Sequence, residues 1–180
     1  PGYGRSTPRP AAEKWPVDFM HAQACEVLPA FLHAVGIDTA GDPPWLVGHS
    51  DGASIALIHA AAFPERVSGV IALAPHVFVE DVSIESIERT REAYLATTDT
   101  QQSTLRVKLA RYHDDPDSAF WGWNDIWLDP AFRTWNIEAM LPAIKKPVLA
   151  VQGEDDEYGT MAQIDGIAKR VPHARVLKLP

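Results

Sequence analysis

The sequence predicts an α/β fold: a mostly parallel sheet flanked by helices, with a helical insert in the middle of the chain. Three observations carry that prediction. Short continuous apolar runs at 45–48, 68–74 and 147–153 are each bounded by Gly or Pro, and they read as strands buried on both faces. Segments of helical periodicity alternate with these runs. Between residues 80 and 145 no such run occurs, and helical patterns and a cluster of aromatic residues take its place.

Residues 1–10 are rich in Gly, Pro, Ser and Arg, which is loop chemistry. Met20, Ala24, Val27, Leu28, Phe31 and Val35 then recur at steps of three and four and predict an amphipathic helix. Asp18 is its candidate N-cap and Gly36 its candidate C-terminal stop. Pro29 inside it predicts a kink, or a division into two shorter helices. Trp45–Gly48 is a strand, Ala53–Phe63 a helix ending at Pro64, and Ser68–Ala74 a second strand ending at Pro75. So short a crossover makes 45–75 a βαβ unit with parallel strands.

Ile84–Leu95 and Leu105–His113 read as helices, and residues 114–135 hold four of the six tryptophans. Such a concentration of indoles reads first as local core. The strand pattern resumes at Pro147–Gly153, followed by a helix over 160–170 and a last strand over Ala174–Leu179. The expected division is a core from 1–79 and 146–180, with a helical cap from 80–145.

Composition narrows the function classes. The 180 residues include 24 acidic and 16 basic side chains, for a formal net charge of −8. That balance argues against nucleic acid and anionic membrane surfaces, whose phosphates need clustered Lys and Arg. No apolar run reaches the roughly 18 residues of a membrane helix. No charged-then-apolar leader opens the sequence, and the expected compartment is cytoplasmic. The single cysteine, Cys25, excludes an internal disulfide and a cysteine-based zinc cluster, and reads as a buried thiol on a helix. His113 with Asp114, Asp115 and Asp117 reads as a charged helix end rather than a metal site. Neither metal nor cofactor is expected, and composition does not set the oligomeric state.

The sharpest motif is Gly48-His49-Ser50-Asp51-Gly52. A bare G-x-S-x-G is weak evidence, but here it follows an apolar strand and opens a helix. A serine hydroxyl is a poor nucleophile unless a base takes its proton and the oxygen is openly presented. A sharp strand-to-helix turn presents it, in a strained backbone conformation that leaves no room for side chains at positions 48 and 52. The same turn aims the Asp51 N–H at the place where an oxyanion forms, beside the positive end of the following helix. Ala53, Ala56 and Ala60 let that helix pack closely against the sheet. A phosphate-binding turn would need G-x-x-x-x-G-K-S/T or G-x-G-x-x-G, and neither is present.

Gly153-Glu154-Asp155-Asp156-Glu157 follows a buried strand. Carboxylates at the C-terminal ends of parallel strands sit where such sheets bind ligands, and one of them can orient a histidine. The histidine after this turn is His173, in a loop that enters the last strand, which is the wrong end for catalysis. His76 follows the strand 68–74 at the same edge as Ser50, and His49 flanks the nucleophile. Both are candidates to line a pocket. His21, His33 and His59 fall on helices.

Together these residues resemble the α/β-hydrolase family of serine hydrolases, in its esterase and carbon–carbon hydrolase branch with a helical cap. PGYGRS looks like the loop after the fourth strand of that fold. PWLVGHSDGASIALIHAA looks like its fifth strand, nucleophile elbow and helix, and PVLAVQGEDDEYG looks like its seventh strand and acid turn. The resemblance implies Ser50 as nucleophile, Asp156 as acid with Asp155 as fallback, and Asp51 as an oxyanion N–H donor. Substrate contacts would come from His49, His76 and the cap aromatics Trp121, Trp123 and Trp127.

The family's first strands would precede Pro1 and its catalytic histidine would follow Pro180. The expectation is therefore a partial α/β-hydrolase fold, an internal piece with two triad members of three. The acid turn carries Tyr158-Gly159 where a proline is often found. The implied partner is a small-molecule ester or acyl substrate, hydrolysed through an acyl-enzyme. The alternatives are carbon–carbon bond hydrolysis on the same residues, or a non-catalytic hydrolase-like binding domain.

Overall fold

The computed structural model describes residues 2–10, 13–96 and 104–180. Pro1 of the expected first loop, and residues 97–103 of the expected helical insert, lie outside the described residues. In chain order the elements are α1 (Phe19–Ala22), a π-helical turn (Gln23–Val27), α2 (Leu28–Ala34), β1 (Trp45–His49), α3 (Asp51–Ala62), β2 (Gly69–Leu73), α4 (Asp81–Leu95), α5 (Thr104–Leu109), α6 (Pro116–Trp127), 3-10 turns at Pro130–Thr134 and Leu141–Ala143, β3 (Val148–Gly153), α7 (Ala162–Arg170) and β4 (Arg175–Leu179).

The chain divides into two compact units. One comprises 18–80 with 134–180, the other 1–17 with 81–133. The N-terminal loop thus falls with the helices rather than with the sheet, and residues 134–145 fall with the sheet.

The sheet unit holds four strands in the order β1-β2-β3-β4, every neighbouring pair parallel. Registers such as Val47↔Ile71, Ile71↔Leu149 and Val151↔Leu177 align the strands, so their C-terminal ends share one edge. The central strands read as near-continuous apolar runs because both faces are covered. Val70, Ala72, Val148 and Ala150 are buried, with Leu57 and Ile58 of α3 and Ile164 and Ile167 of α7. Ala53, Ala56 and Ala60 are buried on α3, where a methyl group lets helix and sheet approach.

Pro29 stands where the first helical segment divides into two shorter helices, α1 and α2, as its chemistry predicts. The π turn just before it shifts the register, and the Leu28 N–H donates to Gln23 O, five residues back. Pro29 follows at the start of α2, where its missing N–H is tolerated. Asp18 stands at the expected N-cap but makes no side-chain cap hydrogen bond. Gly36 does end the segment, at φ 76°, with Ile37 N–H donating to Leu32 O. Cys25 falls in the π turn and is only half-buried. What burial it has pushes its thiol up, with Glu26 adding to the effect.

The helical unit packs around aromatic side chains. The Tyr94 and Phe120 rings stack at 3.7 Å, and Tyr94 Oη donates to Asp117 at 2.5 Å. Arg106 pairs with both oxygens of Asp117. That carboxyl is thereby held below its usual range, first by the Arg106 hydrogen bonds. The sequence pattern assigns no element to 116–127. There Asp115 caps α6 by accepting from Ser118 N–H at 2.9 Å, and Pro116 occupies its first turn. Loop 2–10 docks through Gly4 N–H, which donates to His113 Nδ1 at 3.0 Å. Among the described residues no group of three His, Cys, Asp or Glu is arranged to hold a metal. No helix among them is long and apolar enough to cross a membrane.

Candidate active site

Ser50 sits between β1 and α3 at φ 54°, ψ −125°, a conformation that L-residues adopt only under constraint. Hydrogen bonds hold it there. Its N–H donates to Leu73 O of β2 at 2.9 Å, and its carbonyl accepts from the N–H groups of Ala53 and Ser54. The same device recurs across the sheet. Ala74 N–H donates to Val151 O, and Glu154 N–H to Leu179 O, so each strand's exit is pinned to the end of its neighbour. Ala74, like Ser50, has a positive φ, 45°.

The turn's tightness falls on Gly48. A Cβ there would overlap the Gly52 carbonyl and lie 2.6 Å from Ala53 N. The expectation of equal crowding at Gly52 is corrected: a Cβ at 52 meets nothing within 4 Å, and the residue is exposed. What crowds Gly48 is the Gly52 main chain, which any residue would supply. Asp51 is the first residue of α3, so its N–H lies at the positive end of the helix.

His76 leaves the end of β2, the strand between those that carry Ser50 and Asp156. It is 5% exposed. Its backbone is fixed by Ser54 of α3, whose hydroxyl donates to His76 O at 2.6 Å and accepts from His76 N–H at 3.2 Å. Burial lowers the imidazole's pKa from 6.5 to about 4. The charges of Asp156 and Glu80 pull the other way, and His49 adds to the lowering. His76 is therefore neutral at pH 7. His49 is exposed at the end of β1.

Asp156 closes the turn after β3, its Oδ1 accepting from Tyr158 N–H at 2.8 Å. It is half-buried, whereas Glu154, Asp155 and Glu157 are exposed. Buried Gln152 draws the rest of the turn inward by donating to Gly159 O at 2.6 Å and Thr160 O at 3.1 Å. Glu80 accepts from the Thr160 N–H and hydroxyl and from Gln163 Nε2. Gln163 in turn accepts from Val77 N–H at 2.7 Å. Segment 76–80 is thus laced to the helix of Ser50 on one side and to the Asp156 turn on the other.

Sequence reasoning misses this lacing. Ser54 carries a signal, since it lies four residues after Ser50 on the same helix face. Gln163 carries none, because nothing local marks a helix glutamine as the partner of a loop some 85 residues away. His173 sits where the sequence places it, at the opposite end of the strands, donating to Lys146 O. Trp123 and Trp127 belong to the helical unit. There Trp127 is 2% exposed and packed against Phe132, and Trp123 is half-buried beside Phe120.

Ser50 thus stands strained at a strand–helix turn, with the Asp156 turn two strands along the same edge. The chain matches the description "Alpha/beta hydrolase family" over residues 1–180. It belongs to the α/β-hydrolase family. Solved structures agree on the fold. A membrane phospholipase A, described as a bacterial virulence factor, superposes with a TM-score of 0.71 at 24% identity, over 99% of this chain and 60% of that one. A lipase-esterase related protein from Clostridium acetobutylicum gives 0.63 at 18%, over 98% and 70%. Proline iminopeptidase from Mycobacterium smegmatis gives 0.68 at 20%, over 99% and 69%. The chain thus spans 60% to 70% of the length of these hydrolase structures. A comparison with curated protein sequences found no match.

Proposed function

We propose that these residues carry the nucleophile and the acid of a serine hydrolase acting on a carboxylic ester or related acyl substrate. Ser50 Oγ attacks the carbonyl carbon, and the Asp51 N–H at the start of α3 stabilises the oxyanion. The intermediate collapses to an acyl-Ser50 ester and releases the alcohol, which takes up the proton removed from Ser50. Water then adds to the acyl-enzyme, freeing the acid and restoring the serine. Asp156 orients the imidazole that moves these protons. His76, neutral and buried beside the elbow, lines the substrate pocket, and His49 lines the approach. Neither is assigned as the base. We place that histidine in the part of the relatives' length that these 180 residues do not span.

The observation that carries this reading is the φ of 54° at Ser50. Backbone strain of about 1–3 kcal/mol persists only where the surroundings over-determine it, and at Ser50, unlike at Ala74, the strained residue carries a hydroxyl beside a helix N-terminus. The test is fluorophosphonate labelling with peptide mapping, together with aryl-ester turnover by the protein that carries this chain. Labelling at Ser50, and loss of turnover in Ser50→Ala, are expected. Turnover retained in Ser50→Ala overturns the reading. An unlabelled Ser50 in an inactive protein favours a hydrolase-like binding domain.

A further inference from the structure

Asp156 lies in the middle of a turn, and its carboxylate stands in one place only if the whole turn is held. The turn runs from the end of β3 at Gly153 to Thr160, two residues before α7. Its outgoing limb is fixed by the sheet, with Glu154 N–H donating to Leu179 O at 2.7 Å. Inside the turn Asp156 N–H reaches Gly153 O at 3.3 Å, a long bond. The returning limb, Gly159 and Thr160, lies beyond the strands, and side chains hold it.

Two side chains grip that limb from different surroundings. Glu80 accepts from the Thr160 N–H and hydroxyl, but Thr160 is exposed and water competes for both bonds. Gln152 donates to Gly159 O at 2.6 Å and to Thr160 O at 3.1 Å, from a side chain that is 2% exposed. It stands on β3 itself, in register with Lys178 of β4 and on the same face as buried Val148 and Ala150. The sheet thus fixes its backbone, and burial shields its amide from water. Gly159 is buried as well. A Cβ there would lie 3.3 Å from Gln152 Nε2, so limb and amide are in close contact. Among the described residues no protein group donates to Gln152 Oε1. The side-chain hydrogen bonds of this buried amide therefore run to the turn that carries Asp156.

We propose that Gln152 is a positioning residue for Asp156: by pinning the returning limb against β3 it sets where the carboxylate meets the imidazole that it orients. The proposal rests on the serine-hydrolase reading for the role of Asp156. Because Gln152 acts through Asp156, its loss falls on kcat rather than on KM. Misplacing such a group by about 1 Å lowers the rate by up to about 100-fold.

The test uses Gln152→Met and Gln152→Glu in the protein that carries this chain. Met keeps most of the volume and donates nothing. Amide hydrogen exchange needs no activity. In Gln152→Met it is expected to quicken about tenfold at 156–160, with 148–151 unchanged. On p-nitrophenyl acetate kcat should fall about 10- to 100-fold, with KM held within about twofold.

Glu at this position separates positioning from packing. Ionised, it faces two carbonyl oxygens and drives the limb away. Protonated, it donates to one of them. Burial favours the protonated form, and so do Asp156 in the same turn and Glu80 on the same limb. His76 beside Gly159 is neutral, and Lys178 across in β4 is paired with Asp165. The kcat deficit of Gln152→Glu against the parent should therefore shrink as pH falls from 8 to 6. If Gln152→Met does not fold, that trend decides.

Unchanged exchange at 156–160, an unchanged kcat or a loss confined to KM overturns the proposal, as does a Gln152→Glu deficit that ignores pH. Quickened exchange in a protein whose parent turns over no ester supports the hold of Gln152 on Asp156 and counts against the hydrolase reading alone.

Discussion

The imidazole of His59 donates from Nδ1 to the carbonyl oxygen of Ala24 at 2.7 Å, across the packing of α3 against the first helix. That carbonyl lacks a helical donor for two reasons. In α-register its partner would be Leu28 N–H, which the π turn diverts to Gln23 O. In π-register its partner would be residue 29, which is proline. His59, 1% exposed, fills the vacancy from the helix that begins at Ser50. Replacing it by Leu keeps the volume and orphans a buried acceptor, so urea unfolding is expected to show a loss of about 1–3 kcal/mol. In a Pro29→Ala background residue 29 regains an N–H for Ala24 O, and the loss should shrink. Strictly additive losses in the double variant would refute this account.

His59 and His76 give stability a pH dependence of one sign. Burial lowers both: His59 first by desolvation, against the Ala24 hydrogen bond, and His76 down to about 4. In the unfolded chain they titrate near 6.5. Below that value the unfolded state binds protons that the folded state refuses, so stability falls as pH drops. The contribution is whole above 6.5 and is lost progressively toward 4. For His76 the full shift corresponds to about 3 kcal/mol. Urea midpoints are expected to be flat from pH 8 to 7 and to decline from 6.5 to 4.5. His76→Gln should flatten that decline. A midpoint that rises on acidification would contradict the burial of both rings.

Much of this fold is legible in the sequence because the signals are local. Apolar runs bounded by Gly or Pro locate three of the four strands, and GHSDG locates the elbow, since both the strand and the turn are written in consecutive residues. Pro29 marks the division between α1 and α2, but the π turn before it and the distant side chain that serves the freed carbonyl, His59, are connected to it by no local pattern. Helix α6 goes unassigned although Phe120, Trp123 and Trp127 recur at steps of three and four, and although Asp115 and Pro116 are a legible cap and first turn. Gly52 misleads. The motif names two glycines, but only geometry tells which of them approaches a main chain.

That geometry separates the two glycines experimentally. Gly48→Ala forces a methyl group into the Gly52 carbonyl and is expected to cost about 3 kcal/mol, with a lower yield of folded protein. Gly52→Ala enters open space in the first turn of α3, and better helix propensity should make it neutral or stabilising by up to about 1 kcal/mol. Thermal or urea unfolding of both variants checks the contrast. Equal destabilisation would mean that the elbow is tighter around residue 52 than the structure shows.

The last prediction concerns Gln163, a fully buried side chain of α7 that holds segment 76–80 at three points. Its Oε1 accepts from Val77 N–H at 2.7 Å, and its Nε2 donates to Phe78 O at 3.1 Å and to Glu80 Oε2 at 2.8 Å. Leucine there keeps most of the volume but strands a buried N–H and removes a donor from a carboxylate. About 2–3 kcal/mol of stability should be lost.

Gln163→Glu is the sharper probe. It can still accept from Val77, yet it sets a second carboxylate against Glu80, so the new side chain must take up a proton to fit. Its stability should approach that of the parent at pH 5 and fall as pH rises toward 8. This slope is opposite in sign to that of the two histidines. The amide exchange of residues 76–80 should accelerate along the same slope, because these hydrogen bonds are what tie the segment beside Ser50 to the Asp156 turn. A Gln163→Glu protein whose stability follows the parent's pH profile would show that Gln163 does not hold Glu80.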